Sequence, residues 1–349
     1  MDQVKISKNI LVKPTDTIRT VMRKLTDTNF RFQLVVLKKK LVGTVVDGDI
    51  RRAILRGNSL ETKIENCMNK KPVKGRLGKD AEFKKLINSI KSEIKFLPLI
   101  NSKNELSHVI LENKKEYKKN FIIMAGGFGT RLGYKTKYTP KPLLKINKKP
   151  ILEHILEKVE ESEYSNIYLS TYYLHNKIKN YILKRKAKTN INIILEKKPL
   201  GTAGSIYYLQ KDSFDCLVVI NGDLITDIDL NALTDFHIEN KNDITITIAK
   251  YTYNLPFGLV NFDKSLNFKS LKEKPDISNF VLSGIYCLSK SCCNLIKNKK
   301  IDMTEVIDKS YSLNKKIGIF PIFEYWKDIG NLKDFISENN KIKNNTRTK

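Results

Sequence analysis

The sequence lacks an apolar run long enough to cross a membrane, and it is poor in the residues that form disulfide frameworks or zinc sites. Its five cysteines are odd in number and lack the spacing of metal ligands, which argues against both kinds of site. The N-terminal residues 1–14 contain no hydrophobic signal segment. We therefore expect a cytoplasmic protein with no membrane partner.

Acidic residues are scarce beside basic ones. The chain has 64 Lys and Arg against 37 Asp and Glu, a formal net charge of +27. A charge of this size is typical of nucleic-acid binders. However, the basic residues are spread along the whole chain, and no zinc-finger spacing, RNA-binding aromatic motif or basic heptad helix accompanies them. We expect no nucleic-acid partner, and we expect the charge to attract small anionic substrates.

A glycine-rich segment follows the apolar run of residues 121–124. A strand that leads into such a loop brings backbone N–H groups onto phosphate oxygens, and any side chain on the first glycines would hold those groups away from the anion. Arg131 and Lys141 place two cations near the same loop, as a triphosphate needs. An ordinary tight turn is the alternative for the glycines alone. The loop residues predicted to bind phosphate are Gly126, Gly127, Gly129 and Thr130.

The motif GGFGTRL followed by TPKP resembles the signature of the sugar-1-phosphate nucleotidyltransferase family. Members of this family usually carry a proline where this chain has Tyr134. The resemblance covers most of residues 121–330. It implies Mg²⁺ as cofactor, with a nucleoside triphosphate and a sugar 1-phosphate as substrates. It also implies a Rossmann-like α/β domain, and the alternation of predicted strands and helices independently favours a mixed, mostly parallel sheet.

Two carboxylates follow strand-like segments of this domain. Asp223 comes directly after the apolar run of residues 216–220, and Asp328 lies in the element WKDIG. Hard oxygen ligands suit Mg²⁺, and the family resemblance assigns both carboxylates to metal binding. For Asp328 the alternative is an N-cap for a helix that begins near Asn331.

Further motifs resemble the elements of the family that line the nucleotide and sugar pocket. In the element KEKP, the resemblance places Glu273 on sugar hydroxyls and Lys274 on the sugar phosphate. A helix cap at Thr202 and a solvated turn at residues 272–274 are the structural alternatives. The substrate-binding residues implied beyond the glycine loop are Glu196, Gly201, Thr202, Gly222, Glu273, Lys274 and Gly284.

The resemblance also implies a mechanism without a covalent nucleophile. The sugar phosphate oxygen attacks the α-phosphorus in line, so the protein mainly positions reactants and neutralises charge. Arg131 then stabilises the leaving pyrophosphate, and Lys141 bridges the α-phosphate and the incoming phosphate. Both residues are therefore the predicted catalytic residues.

Residues 1–118 contain two copies of a small β-rich unit. Each copy has the order strand, helix, two strands, and a further helix follows in the first copy near Asp49. This order resembles a tandem pair of CBS domains, a Bateman module. The resemblance implies a regulatory nucleotide at Thr44, Asp47 and Asp49. The alternative is that Asp49 caps its helix and that the module is structural or oligomerising.

The charged segment of residues 113–120 separates the two regions. We predict a CBS pair at residues 1–118, a nucleotidyltransferase domain at 119–338, and a polar, disordered tail at 339–349. This combination resembles bacterial guanylyltransferases that act on glucosamine 1-phosphate for legionaminic acid synthesis, which implies GTP and a homo-oligomer. Another base with mannose, heptose or glucose 1-phosphate, a glycosyltransferase, and a non-catalytic nucleotide sensor are the alternatives.

Overall fold

The computed structural model describes residues 2–28, 30–90, 94–112, 116–185 and 189–345. The chain divides into two compact units, with the boundary between Tyr117 and Lys118. The predicted linker partly lies outside the described residues, at 113–115. Its end is not linker, because Lys119 and Asn120 are buried and begin a strand. Among the described residues, no helix is both long and apolar enough to span a bilayer.

The N-terminal unit contains two small sheets, with strand orders β2-β3-β4 and β1-β7-β6-β5. Its strands are β1 Asp2–Lys5, β2 Leu11–Val12, β3 Phe32–Leu37, β4 Lys40–Val46, β5 Gly75–Arg76, β6 Phe96–Ile100 and β7 Leu106–Leu111. Its helices are α1 Ile18–Asp27, α2 Asp47–Leu55 and α3 Asp80–Ser89.

The predicted internal repeat is visible in this unit. In both sheets a short strand pairs parallel with the middle strand, which pairs antiparallel with the next one. Helix α2 follows the first hairpin, whereas no helix follows β7 within residues 94–112. The rings of Phe32 and Phe96 stack between the two sheets, with centroids 3.9 Å apart. The two copies therefore share an apolar core, as one copy alone buries too little surface.

The C-terminal unit is larger and mixes strands with helices. Its strands are β8 Lys119–Ala125, β9 Lys145–Ile146, β10 Lys149–Pro150, β11 Asn166–Thr171, β12 Ile191–Leu195, β13 Cys216–Asn221, β14 Leu224–Thr226, β15 Ile244–Asn254, β16 Leu259–Phe262, β17 Phe268–Lys272, β18 Asp276–Ser289, β19 Ile317–Ile322 and β20 Trp326–Asp328. Its helices are α4 Ile151–Glu160, α5 His175–Lys184, α6 Leu230–Glu239, α7 Lys290–Cys293, α8 Met303–Ser312 and α9 Leu332–Asn345.

Seven strands form the central sheet of this unit, in the order β12-β11-β8-β13-β18-β15-β19. Strand β18 runs antiparallel to both of its neighbours, and the remaining pairs are parallel. The prediction of a mixed, mostly parallel sheet is confirmed. The strands beside β8 are almost entirely apolar because helices and turns cover the sheet.

Helix α4 illustrates how the sequence pattern sets local structure. Its apolar residues recur at helical spacing and are buried, as predicted: Ile151, Leu152, Ile155, Leu156 and Val159. The helix begins one residue later than predicted. Pro150 precedes it because Pro150 pairs with Lys145 in the short β9–β10 ribbon.

The C-terminal tail is ordered for most of its predicted length, so the prediction of disorder for residues 339–349 is wrong up to Asn345. Helix α9 continues to that residue. The side chain of Asn339 accepts a hydrogen bond from the N–H of Asn147 at 3.3 Å and donates one to the carbonyl of Lys145 at 3.4 Å. These contacts lie far away in sequence, so a polar composition could not reveal them. Residues 346–349 lie outside the described residues.

Replacement of Lys119 by Ala tests the buried charge at the start of β8. Its ammonium lies 3.3 Å from Asp235 and 2.9 Å from Glu163, and the Lys119 side chain is 2% exposed. Because the variant leaves a buried carboxylate without its cation, we expect the free energy of unfolding to fall by about 3 kcal/mol. Urea unfolding followed by fluorescence of Trp326, the single tryptophan, reports on this unit alone.

The matched control is Lys118→Ala, since Lys118 is the exposed neighbour of Lys119. We expect that change to alter the free energy of unfolding by less than about 0.5 kcal/mol. Equal effects of the two variants would show that the buried pair is not what stabilises the start of β8.

Candidate active site

The parallel pairing of β8 and β13 brings two predicted motifs to one edge of the sheet. The strands end in register, with Asn221 opposite Met124. The N–H of Gly222 then donates to the carbonyl of Met124 at 2.9 Å. A Cβ on Gly222 would lie 2.5 Å from that carbonyl oxygen, so only glycine fits. The glycine loop that follows β8 and the carboxylate of Asp223 therefore lie side by side.

The glycine loop folds back towards Lys141. Gly129 has a left-handed conformation, with φ of 67°. A Cβ there would lie 2.9 Å from the side chain of Thr136 and 3.1 Å from Cβ of Lys141. The hydroxyl of Thr136 donates to the carbonyls of Gly129 and Gly133 at 3.0 and 3.1 Å. These contacts hold the loop and the lysine together, and Thr130 begins the tight 3₁₀ turn between them.

The first two glycines differ in what surrounds them. A Cβ on Gly126 would lie 3.1 Å from the carboxylate of Glu196, whereas no described atom lies within 4 Å of a Cβ on Gly127. Gly126 thus packs against the protein. Gly127 faces open space, where an anion could approach its backbone.

Lys141 and Asp223 form a close ion pair at this edge. Their Nζ and Oδ2 atoms lie 2.5 Å apart, and the lysine is only 8% exposed. The sequence predicted different partners for the two groups, a phosphate for the lysine and a metal for the carboxylate. In the protein without ligands they neutralise each other instead.

Asp328 lies beside this pair. Strand β20 pairs antiparallel with β14, so that Asp328 is opposite Leu224, and the N–H of Ile329 donates to the carbonyl of Asp223 at 3.0 Å. Asp328 does not cap α9, because the side chain of Asn331 accepts the hydrogen bond from the N–H of Asp334 at 3.0 Å. The helix-cap alternative for Asp328 is therefore wrong.

The surroundings of Asp328 disfavour its charge. Burial, and then the nearby carboxylate of Asp223, raise the pKa of Asp328 to about 6, while Lys141 and Arg131 oppose the rise. Its Oδ1 atom is buried and has no hydrogen-bond partner among the described residues. Buried polar atoms are rarely left in this state. A cation between the two carboxylates would satisfy this oxygen and remove the repulsion.

The donor set fits a hard divalent cation. Asp223 and Asp328 supply carboxylate oxygens, and Mg²⁺ prefers one or two carboxylates completed by water and substrate phosphates. The sequence analysis missed Asn221, whose Oδ1 is also buried without a partner in the described part of the chain. Its position at the end of β13, before the Gly-Asp pair, was the available signal. No group of three or more His, Cys, Asp or Glu side chains gathers in the described residues, so this pair would depend on substrate oxygens.

Glu196 is placed beneath the glycine loop and has both oxygens engaged. Ser170 donates to one oxygen at 2.7 Å, and the N–H of Leu200 donates to the other at 2.9 Å. Burial raises the pKa of the Glu196 carboxyl, and these hydrogen bonds oppose the rise. Glu196 therefore joins the turn at Leu200 to the sheet and supports Gly126.

Gly201 and Thr202 pack against a distant segment of the chain. Gly201 has φ of 76°, and a Cβ there would lie 2.6 Å from the carbonyl oxygen of Ile301. The hydroxyl of Thr202 accepts a hydrogen bond from the N–H of Met303 at 2.8 Å. Thr202 thus caps α8 rather than a helix of its own, and the close approach at Gly201 is made by the protein backbone.

The residues predicted to contact the sugar lie on different elements. Gly284 has φ of 79° on β18, and a Cβ there would lie 2.7 Å from the amide nitrogen of Asn221, so Gly284 borders the carboxylate cluster. Glu273 and Lys274 follow β17 and are exposed. Across the described residues, neither forms an ion pair with Lys141, Asp223 or Asp328. The structure brings Gly284 to the cluster and leaves the other two on an exposed loop.

In the N-terminal unit, the predicted nucleotide ligands are engaged by their own helix. Helix α2 begins at Asp47, and Asp49 lies in its first turn rather than before it. Arg51 pairs with Asp47 at 2.6 Å, and Arg52 pairs with Asp49 at 2.7 Å. Thr44 is buried and bridges to Asn69 through its backbone. A nucleotide here would compete with these pairs, and the regulatory site stays a prediction.

Comparison with protein families gives two matches. Residues 120–345 match the family described as nucleotidyl transferase, and residues 3–56 match the CBS domain. The first match covers the glycine loop, the Lys141–Asp223 pair and Asp328. The second covers the first copy of the N-terminal repeat.

Relatives of known name align with the C-terminal unit. The catalytic subunit beta of mannose-1-phosphate guanylyltransferase from Drosophila melanogaster is 29% identical over 223 residues, 62% of this chain and 60% of that protein. The bifunctional protein GlmU from Methanococcus maripaludis is 32% identical over 233 residues, 64% of this chain and 54% of that protein. The chain thus spans less than two thirds of the length of these relatives.

A solved structure has a similar fold. HddC from Yersinia pseudotuberculosis superposes with a TM-score of 0.52 at 26% identity, covering 65% of this chain and all of HddC. A second structure of HddC, in complex with GMP-PN, gives a TM-score of 0.51 at 25% identity.

Replacement of Asp328 by Asn tests the repulsion within the carboxylate pair. An unfolded Asp titrates near pH 4, whereas native Asp328 titrates at about 6, so between these values the native state holds a proton that the unfolded state has lost. Stability contributed by this group therefore falls as pH rises. With EDTA present, we expect the Tm of the variant to exceed that of the wild type above about pH 6, and the gap to close below about pH 4.

Thermal unfolding monitored at Trp326 measures this gap. Asp308→Asn, which changes an exposed carboxylate on α8, is the control, and its Tm gap should not vary across the same pH range. A constant gap for Asp328→Asn would contradict the proposed repulsion.

Proposed function

This chain belongs to the nucleotidyl transferase family, and we propose that it transfers a nucleotidyl group from a nucleoside triphosphate to a sugar 1-phosphate, releasing pyrophosphate in a Mg²⁺-dependent reaction. The observation that carries this proposal is the cluster of Lys141, Asp223 and Asp328 beside the glycine loop. A non-catalytic nucleotide sensor would not need a buried lysine between two carboxylates.

The proposed reaction is an in-line displacement at the α-phosphorus. An oxygen of the sugar phosphate forms a bond to this phosphorus while the bond to the β-phosphate bridging oxygen breaks. Asp223 and Asp328 would hold Mg²⁺, which supplies neutralisation of phosphate charge when it is bound. The backbone of the open Gly127 position and the side chain of Arg131 would bind the departing pyrophosphate.

Lys141 has the central role in this proposal because it exchanges partners. Its ammonium neutralises Asp223 in the free protein. When Asp223 is engaged by a cation, the lysine is released next to the glycine loop, where it would meet the α-phosphate and the attacking phosphate. The charge of the site stays balanced at each stage, which avoids an uncompensated buried charge.

The sugar side of the proposal rests on weaker packing. Lys274 would hold the phosphate of the sugar, and Glu273 would accept hydrogen bonds from its hydroxyls. Gly258 supports this location, because a Cβ there would lie 3.1 Å from the Glu273 carboxylate. Both residues would reach the substrate from the loop after β17.

We propose GTP as the nucleotide and glucosamine 1-phosphate as the sugar substrate. Relatives named as guanylyltransferases and the HddC complex with GMP-PN support guanine. The sugar follows from the resemblance to enzymes of legionaminic acid synthesis, in which a CBS module precedes this domain. Mannose, heptose or glucose 1-phosphate with another base is the alternative.

A pyrophosphate-release assay tests the reaction and the substrates together. The four nucleoside triphosphates are each combined with glucosamine, mannose, heptose and glucose 1-phosphates, with Mg²⁺ or with EDTA. We expect the fastest release with GTP and glucosamine 1-phosphate, and none in EDTA. Absence of release from every combination would rule out the enzymatic proposal, and release with another pair would reassign the substrates.

Replacement of Lys141 by Ala tests the role of the buried cation. Because this variant removes the charge next to the reacting phosphates, we expect kcat/KM to fall by about 100- to 1,000-fold. Lys137→Ala, which removes an exposed lysine from the same loop, should retain activity within about twofold. A similar loss in both variants would indicate loss of general positive charge rather than loss of a catalytic group.

We also propose that the N-terminal unit binds a regulatory nucleotide, which its CBS match supports. Isothermal titration of the full chain with ATP, AMP and GTP measures this binding. Asp49→Asn should weaken it, while Asp80→Asn, at the start of the equivalent helix α3, should not. No heat of binding attributable to the N-terminal unit would leave the module with a structural role.

A further inference from the structure

A slender part of the C-terminal unit extends beyond the central sheet. Strand β15 pairs with β19 only as far as Ala249, and from Lys250 to Asn254 it pairs with β18 alone. The hairpin of β16 and β17 follows, and we call residues 250–282 the arm. Ten large apolar side chains of the arm are 42–79% exposed: Tyr251, Tyr253, Phe257, Val260, Phe262, Leu266, Phe268, Leu271, Phe280 and Leu282.

Four of these side chains share one face of the hairpin. Val260 is opposite Leu271, and Phe262 is opposite Phe268. Opposed residues, and residues two apart, lie on the same face of a paired strand. Their exposures are 49%, 56%, 61% and 68%. We call these four residues the arm face, and none of them carries a charge.

The arm face continues to a residue of the proposed site. A Cβ on Gly258 would lie 3.2 Å from the side chain of Leu271 and 3.1 Å from the carboxylate of Glu273. Leu271 and Glu273 therefore project to the same side of the hairpin. Anything that covers the arm face also borders the loop that carries Glu273 and Lys274.

The exposed apolar area is large for a free surface. Two-stranded hairpins are marginal on their own and are stabilised when an apolar face is covered. The six exposed aromatic side chains of the arm leave roughly 700 Å² in water, at about 200 Å² per aromatic side chain. A standard interface buries about 800 Å² per partner. The arm alone thus approaches the area that a stable dimer needs.

The charge of the chain favours a second copy as the occupant. With a net charge of +27, two copies repel each other over most of their surfaces. The arm face avoids this repulsion because its four side chains are all apolar. An uncharged apolar face is also complementary to itself, so a two-fold axis would pair it with an identical face and close the assembly at a dimer.

We propose that two copies of this chain associate through the arm face to form an isologous dimer. The contact buries Phe262 and Phe268 of both copies against each other. It also orders the hairpin, and with it the loop of Glu273 and Lys274.

Sedimentation velocity on the full chain tests this association. We expect a species of twice the 40.3 kDa chain mass at about 1–100 μM, dissociating on dilution. The double variant Phe262→Ser/Phe268→Ser should raise the dimer dissociation constant by at least about 100-fold. The control Tyr311→Ser/Leu313→Ser changes two apolar residues that are 76% and 50% exposed elsewhere, and it should dimerise like the wild type.

The outcomes separate the proposal from general effects of the substitutions. Thermal unfolding at Trp326 should be similar in all three proteins, because the changed side chains are exposed. A wild-type protein that is monomeric over the whole range would overturn the proposal. So would an arm variant that dimerises like the wild type, or a control variant that dissociates as much as the arm variant.

A kinetic measurement tests the effect on the site, and this part rests on the proposed function. We expect the arm variant to raise KM for the sugar 1-phosphate by about tenfold, with KM for GTP within about twofold of the wild type. Equal KM values would show that dimer formation does not order the Glu273 loop. Sedimentation requires no activity, so failure of the dimer and failure of the enzymatic proposal remain distinguishable.

Discussion

The parallel register of β8 and β13 is the constraint on which the candidate site depends. The strands end together because Gly222 approaches the carbonyl of Met124 so closely that no side chain fits between them. A shift of one residue would turn Asp223 to the other face of the sheet. It would then lose contact with Lys141. One backbone contact therefore couples the glycine loop, the lysine and the carboxylate.

The electrostatics of the site follow from that geometry. Lys141 balances Asp223, but the nearby Asp328 has no cation in contact and an unpaired buried oxygen. The free protein therefore holds two carboxylates against one buried lysine, with the exposed Arg131 acting at longer range. This imbalance favours entry of a divalent cation together with an anionic ligand, because that pair supplies both the missing positive charge and a new partner for Lys141.

The sequence supported the elements whose causes are local. Apolar spacing was sufficient for α4, and the glycine motif was sufficient for the loop after β8. Features set by distant contacts were beyond reach. Asp328 could not be distinguished from a helix cap without the β14–β20 pairing, and the carbonyl of Ile301 that requires glycine at position 201 is distant in sequence. A polar composition likewise concealed the ordered end of α9, whose Asn339 bonds to residues near β9.

The two halves of the proposed site differ in rigidity for a structural reason. The nucleotide half lies at the edge of a seven-stranded sheet, where Lys141 and Gly222 are held by buried neighbours. The sugar half follows a two-stranded hairpin with an exposed apolar face. Residues on the hairpin can change without disturbing the sheet, because few buried contacts depend on them. Motifs at the sheet edge therefore identify the class of reaction, whereas the identity of the sugar is determined by the arm and by whatever covers it.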